Sequence, residues 1–191
     1  VEANSGGVKL LRCRQLLECP EVFGLEPKIR AKDELLKSHL QHILDGSEKQ
    51  ILVYSSFVAE QERIVRICSE MGLRAGLING SVVGAARASV AKKFESGEFQ
   101  VLVASPATMA VGFNFEFVSS VVFVSADYDN SAFHQACFRG NRGTRSTPLP
   151  IYILVVNCKV EKNFWKKVLN EKEAYKKTVD KPIAKCYTII R

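Results

Sequence analysis

From Ala31 onward the apolar positions follow two alternating rhythms. The segment AKDELLKSHLQHILDG puts Leu35, Leu36, Leu40, Ile43 and Leu44 on one helical stripe, and Gly46 is placed to stop it. The run ILVYSS (51–56) is continuously apolar before its serines, as expected of a strand covered on both faces. A helix is expected over 58–71 with Gly72 as its stop, a strand over 74–78 and a helix over 85–94. Strands over 99–105 and 120–126, a helix over 131–138 and a strand over 151–156 complete the series. Strands separated by helices of this length predict βαβ units, and hence an α/β fold with a parallel sheet and helices on both faces. Residues 1–28 are less regular. Leu10, Leu11, Leu16 and Leu17 form one face of a possible helix ahead of Pro20, and Pro27 marks a break. Beyond Lys159 the chain is Lys-rich and reads as helical.

Composition fits this picture. Of 191 residues, 47% are hydrophobic and 25% charged, which suits one α/β domain with a short appendage and excludes wholesale disorder. The net charge of +7 favours a polyanionic partner such as nucleic acid. Much of the excess lies beyond Lys159, where Lys162, Lys166, Lys167, Lys172, Lys176, Lys177, Lys181, Lys185 and Arg191 face only Glu161, Glu171, Glu173 and Asp180. That tail is either a solvated amphipathic helix or a phosphate-tracking surface. The six cysteines (Cys13, Cys19, Cys68, Cys137, Cys158 and Cys186) form no CxxC pair, which argues against zinc and for a reducing, intracellular compartment. His39 and His42 lie three apart on one expected helix with no third ligand in view, so no metal site is expected. No run approaches the ~18 apolar residues that cross a bilayer, and no secretory pattern opens the chain, so a membrane partner is not expected.

The densest chemistry lies in Gln135-Ala-Cys-Phe-Arg139-Gly-Asn-Arg142-Gly143-Thr-Arg145. Arginines recur every third position just after an expected helix. Their planar, permanently charged forks suit phosphate oxygens, and an arginine supplied across a cleft can stabilise a transferring phosphoryl group. A basic patch bridged to acidic neighbours would show the same spacing. A second candidate is Met109-Ala-Val-Gly112-Phe113-Asn114-Phe115. Its glycine lets backbone approach a ligand and its asparagine offers both donor and acceptor, although a plain turn with a hydrophobic plug reads the same way.

These two runs resemble, respectively, motif VI and motif V of superfamily 2 helicases, most closely the Swi/Snf-type ATPases. Motif VI continues with a glutamine in that family where Arg145 stands here, and the first glycine of motif V is replaced by Ala110. Weaker matches follow in the same order. ILVYSSF resembles motif IV, and Lys32 a lysine ahead of it. Asn79-Gly80-Ser81 with Arg87 and Phe94 resembles the stretch after the second strand. Ser105-Pro-Ala-Thr108 matches a Ser/Thr motif that faces nucleic acid, and Asp127 an acidic position after a buried strand. The resemblance spans roughly 30–165.

It implies a RecA-like helicase C-terminal lobe over 29–165, preceded by an inter-lobe segment (1–28) and followed by a basic extension (166–191). It further implies Arg139 and Arg142 as catalytic arginine fingers and Gly112, Asn114 and Gln135 as nucleotide-side residues. Ser105, Thr108, Arg87 and Ser81 fall in the nucleic-acid-binding positions. Asp127 could equally cap a helix, and Arg87 could be a salt-bridge partner.

The sequence contains no Gly-x4-Gly-Lys-Ser/Thr loop, and Asp33-Glu34 opens an amphipathic helix rather than following a strand, as a Mg²⁺ carboxylate would. ATP and Mg²⁺ are therefore expected to be held mainly by a separate N-terminal RecA-like lobe, and this chain alone is expected to hydrolyse little ATP. DNA is the favoured polymer over RNA on subfamily resemblance. Two rival readings stand beside it: a non-catalytic nucleic-acid-binding module, and an unrelated parallel α/β enzyme, for which no catalytic Ser, Cys or His set can be named.

Overall fold

The computed structural model describes residues 5–27, 30–44, 49–110, 113–139, 149–176 and 187–190. Among the described residues six α-helices and six strands follow in order: α1 (Gly6–Glu18), α2 (Ala31–Leu44), β1 (Ile51–Tyr54), α3 (Val58–Glu70), β2 (Ala75–Ile78), α4 (Gly84–Glu95), β3 (Val101–Ala104), β4 (Ser120–Phe123), α5 (Asn130–Arg139), β5 (Ile151–Leu154), α6 (Lys159–Lys176) and β6 (Tyr187–Ile190). The strands form one sheet in the order β2-β3-β1-β4-β5-β6, parallel at every pairing.

Burial on both faces explains the continuous apolar runs. Leu52, Tyr54, Leu102, Ala104, Val121, Phe123, Ile151 and Ile153 point to one face, where α4, α5 and α6 bring Phe94, Phe133, Phe164 and Trp165. Ile51, Val53, Val101, Val103, Val122 and Leu154 point to the other, under Leu36, Leu40 and Ile43 of α2 and Ile64 and Cys68 of α3. This is a doubly covered parallel α/β sheet.

Two glycines act through geometry. Gly72 ends α3 with φ at 73°, a left-handed conformation that a side chain would resist. Gly76 lies in β2 where an added Cβ would come within 2.8 Å of the Phe99 ring.

Three expectations are corrected. The amino-terminal segment does form a helix, but its leucines are not the docked face. Leu10, Leu11, Leu16 and Leu17 are exposed, and the buried residues of α1 are Arg14 and Glu18. The strand β6 beside β5 was not foreseen. The residue capping α5 is Asp129, which accepts the Ala132 amide at 3.0 Å, rather than Asp127.

The stripe of α2 was read correctly but incompletely, for it also buries Lys32 and His39. His39 lies edge-on to Tyr152, ring centroids 4.2 Å apart, and its Nε2 has no hydrogen-bond partner among the described residues. Burial lowers its pKa from 6.5 to about 4. A neutral histidine in the fold that would take up a proton once unfolded makes stability fall as pH drops from 6.5 toward 4, by at most about 1.4 kcal/mol per pH unit. In urea titrations across that window, His39→Leu is expected to flatten the acid limb. A limb as steep as that of the unaltered chain would show that His39 does not carry it.

Candidate functional site

Ligands of doubly covered parallel sheets bind beyond the carboxyl ends of the strands, near the point where the chain reverses its direction of winding. Here that point lies around β1, flanked by β3 on one side and β4 on the other. The strand ends divide into two regions of different character.

Beyond β2 and β3 the ends are polar and partly open. Ser105 follows β3, and its hydroxyl bonds the Thr108 hydroxyl at 2.5 Å and accepts the Thr108 amide at 3.1 Å. Thr108 begins a short 3-10 turn (Thr108–Ala110) that packs against α5. Ser81 stands exposed in the loop after β2, where its amide (3.0 Å) and hydroxyl (2.6 Å) both donate to the Asn79 carboxamide. Because Ile78 pairs with Ala104, these two loops leave adjacent strands side by side. Arg87, three residues into α4, donates from Nε to the Val82 carbonyl at 2.9 Å. It braces the same loop and is not held in an ion pair with any described residue. The structure thus gathers Ser81, Arg87, Ser105 and Thr108 at neighbouring strand ends.

The nucleotide-side candidates come from α5, against which the Thr108–Ala110 turn packs, and from the segment after that turn. Gln135 is exposed on α5, with its amide 3.4 Å from the Ser131 hydroxyl. Asn114 is exposed and donates to Glu116 at 3.1 Å. Arg139 is the last residue of α5. Its side chain, together with Gly112 and Arg142, lies outside the described residues.

Beyond β1, β4 and β5 the ends are filled by buried charge. The Lys32 ammonium donates to Glu18 at 2.7 Å, to the Val124 carbonyl at 2.9 Å and to Glu161. Glu161 also accepts the Val156 amide at 2.8 Å. The carboxylate of Glu60, wholly buried, accepts from the Ser55 hydroxyl at 2.6 Å and from the Ser125 hydroxyl. Arg63 reaches Asp33, Glu21 and the Glu18 carbonyl, and Arg30 also pairs with Glu21.

Burial alone would lower the pKa of Lys32, but Glu18, Glu161 and Glu60 outweigh it and hold the lysine above its ordinary value. Burial, followed by repulsion from Glu60, raises Glu18 well above the usual carboxylate range. Sequence reasoning placed Lys32 only by resemblance, passed over Glu18 and Glu60, and read Glu161 only as an acidic residue of the Lys-rich tail. Lysine and glutamate are ordinary surface residues, and no spacing marks the ones that meet.

No group of three or more metal-ligating side chains occurs among the described residues, and no described helix is long and apolar enough to cross a membrane. Burial pushes the Cys19 and Cys68 thiols up to about 12, so neither is a ready nucleophile.

With this geometry in place, comparison with known proteins decides the family. The profile of the helicase conserved C-terminal domain matches residues 31–144. The chain belongs to the helicase C-terminal domain family.

Its relatives are distant. The ATP-dependent RNA helicase p62 of Drosophila melanogaster is 25% identical over 160 residues, covering 80% of this chain and 21% of the fly protein. The chain therefore spans about a fifth of the length of that curated relative. Solved structures share the RecA-like fold. The C-terminal part of the Fun30 ATPase domain aligns at a TM-score of 0.67 and 16% identity, over 86% of this chain and 54% of that one. The S. cerevisiae Dbp5 C-terminal domain, solved bound to Gle1 and IP6, aligns at 0.60 and 15%, over 83% and 82%. The Pyrococcus furiosus Hef helicase domain aligns at 0.58 and 21%, over 82% of this helicase domain and 32% of its own chain.

Proposed function

We propose that this helicase C-terminal domain is the second motor lobe of an ATP-driven nucleic-acid translocase. In this reading ATP and Mg²⁺ lie between it and an N-terminal RecA-like lobe that carries the phosphate loop. Arg139 and Arg142 reach the γ-phosphate when the lobes close, with Gln135, Asn114 and Gly112 on the nucleotide side. Closing and reopening shift the grip on the nucleic-acid backbone.

The observation that carries the reading is the grouping of Ser81, Arg87, Ser105 and Thr108 at the open ends of β2 and β3, in a sequence with no phosphate loop of its own. Hydroxyls and a guanidinium there suit phosphate oxygens, which carry no base information, so such a motor would be largely indifferent to sequence.

Two polymers are in play. DNA is favoured by the Swi/Snf-like form of Gln135–Gly143. RNA is favoured by the similarity to the fly ATP-dependent RNA helicase p62. ATPase assays of the intact protein with duplex DNA, single-stranded DNA and structured RNA separate them. Stimulation by DNA supports the translocase reading, and stimulation by RNA alone moves the assignment to an RNA helicase. Salt-sensitive binding with no stimulation by any polymer would favour a non-catalytic binding module instead.

A further inference from the structure

Most residues of the loop 124–129, between β4 and α5, are held by named contacts, and most of the holders come from outside its own βα unit. Val124 offers its carbonyl to Lys32 at 2.9 Å and its amide to the Tyr54 carbonyl at 2.9 Å. The Ser125 hydroxyl accepts the Ser56 amide at 3.0 Å and donates to Glu60. Ala126 gives its carbonyl to the Arg14 guanidinium. The negative charge of Asp127 favours the charged form of Arg14. The Tyr128 ring stands 5.4 Å from the same guanidinium, and Asp129 caps α5.

Arg14 is the least expected member. It comes from α1, more than a hundred residues away in sequence, and is 4% exposed. Its guanidinium lies 3.8 Å from the centroid of Phe164 and 5.4 Å from that of Phe57 as well as Tyr128. Three rings from three different parts of the chain thus form a cage around one cation, and the Ala126 carbonyl closes it. Such a contact is directional: it fixes the loop backbone and the Tyr128 ring together. Four residues further on, Glu18 holds Lys32, which grips the same loop at Val124. The helix α1 therefore touches the loop with one hand directly and with the other through a buried lysine. The loop leads straight into α5, which bears Gln135 and ends at Arg139.

We propose that Arg14 is a positioning residue for α5: by locking residues 124–129, the docked α1 sets the pose of the helix that carries the arginine finger. The proposal rests on the motor reading above for its functional meaning, but the positioning can be measured without ATP. Because α1 lies outside the matched family region (31–144), whatever moves α1 would be transmitted to α5 through Arg14.

The test is regional amide hydrogen exchange on the 191-residue chain carrying Arg14→Ala or Arg14→Lys, compared with the unaltered chain. Exchange over 124–139 is expected to rise at least about tenfold in Arg14→Ala, while 75–95, which includes the edge strand β2, changes less than about twofold. Lysine keeps the charge but not the planar stack, so Arg14→Lys should fall between. Equal acceleration in both regions, or no change over 124–139, overturns the proposal. If Arg14→Ala does not fold, Arg14→Lys is read by the same criteria.

In the intact protein the corresponding change is expected in kcat, with the KM for ATP little altered. Loss of turnover in Arg139→Ala without the exchange effect of Arg14 would refute the positioning alone. The exchange effect without any role for Arg139 in turnover would refute the motor reading alone.

Discussion

Replacing Lys32 with methionine is expected to destabilise the domain by about 3–5 kcal/mol, on the order of 10 °C in Tm for a chain of this size. The lysine is 6% exposed and stands between Glu18 and Glu161, which are 4% and 3% exposed. Methionine fills much the same volume, so the loss comes from charge rather than from a cavity. Two carboxylates and a backbone carbonyl are left without their donor in a place water does not reach, and Glu60 adds its own repulsion. The sign of a second change follows from the same argument. Adding Glu18→Gln and Glu161→Gln to Lys32→Met removes the stranded charges, and should recover a large part of the lost stability. Thermal unfolding of the single and triple variants checks both. A single variant within about 1 kcal/mol of the parent, or a triple variant worse than the single, would contradict this account of the cluster.

The second large effect is kinetic. If the proposed motor reading holds, Arg139→Ala and Arg142→Ala in the intact protein are each expected to reduce ATP turnover by roughly 10³-fold or more, the range for arginine fingers, while ATP and nucleic-acid binding stay largely in place. A finger meets the γ-phosphate only as charge develops on it, so its removal should lower kcat and leave ground-state binding little changed. Arg139→Lys should not restore the rate, since a point charge does not reproduce the planar fork. Turnover within a few-fold of the parent would remove both residues from the catalytic role, and loss of folding would show them to be structural.

What could be read from the sequence follows from where apolar periodicity operates. Strands covered on both faces announce themselves as unbroken runs, and β1, β3, β4 and β5 were placed within three residues at each end. The helices over the sheet faces followed from their stripes in the same way. Periodicity failed where packing is not apolar. The helix α1 docks over strand ends, where carbonyls and carboxylates wait, so its buried face is Arg14 and Glu18 while its leucines remain exposed. β6 is a four-residue strand beyond a Lys-rich stretch, joined to the sheet by pairing with β5 rather than by a pattern of its own.

At the candidate site, Ser81, Arg87, Ser105 and Thr108, named by resemblance, lie in the loops that follow the neighbouring strands β2 and β3 or at the start of α4. Nothing in their spacing could show that Arg87 would brace a backbone carbonyl rather than an acidic side chain. The charge cluster beneath α1 was invisible for a different reason. Its members lie up to 143 positions apart, Glu18 to Glu161, and each alone looks like solvated surface.

The central claim is that the catalytic machinery is divided, with this domain supplying phosphate-facing arginines and a second lobe supplying the phosphate loop. The most direct measurement is the ATPase rate of the 191-residue chain alone and of the same chain within the intact protein, each with and without nucleic acid. The account predicts no turnover above background for the chain alone, and turnover stimulated by nucleic acid for the whole. Hydrolysis by the isolated chain would contradict it, because the site would then have to be complete within residues that contain no phosphate loop.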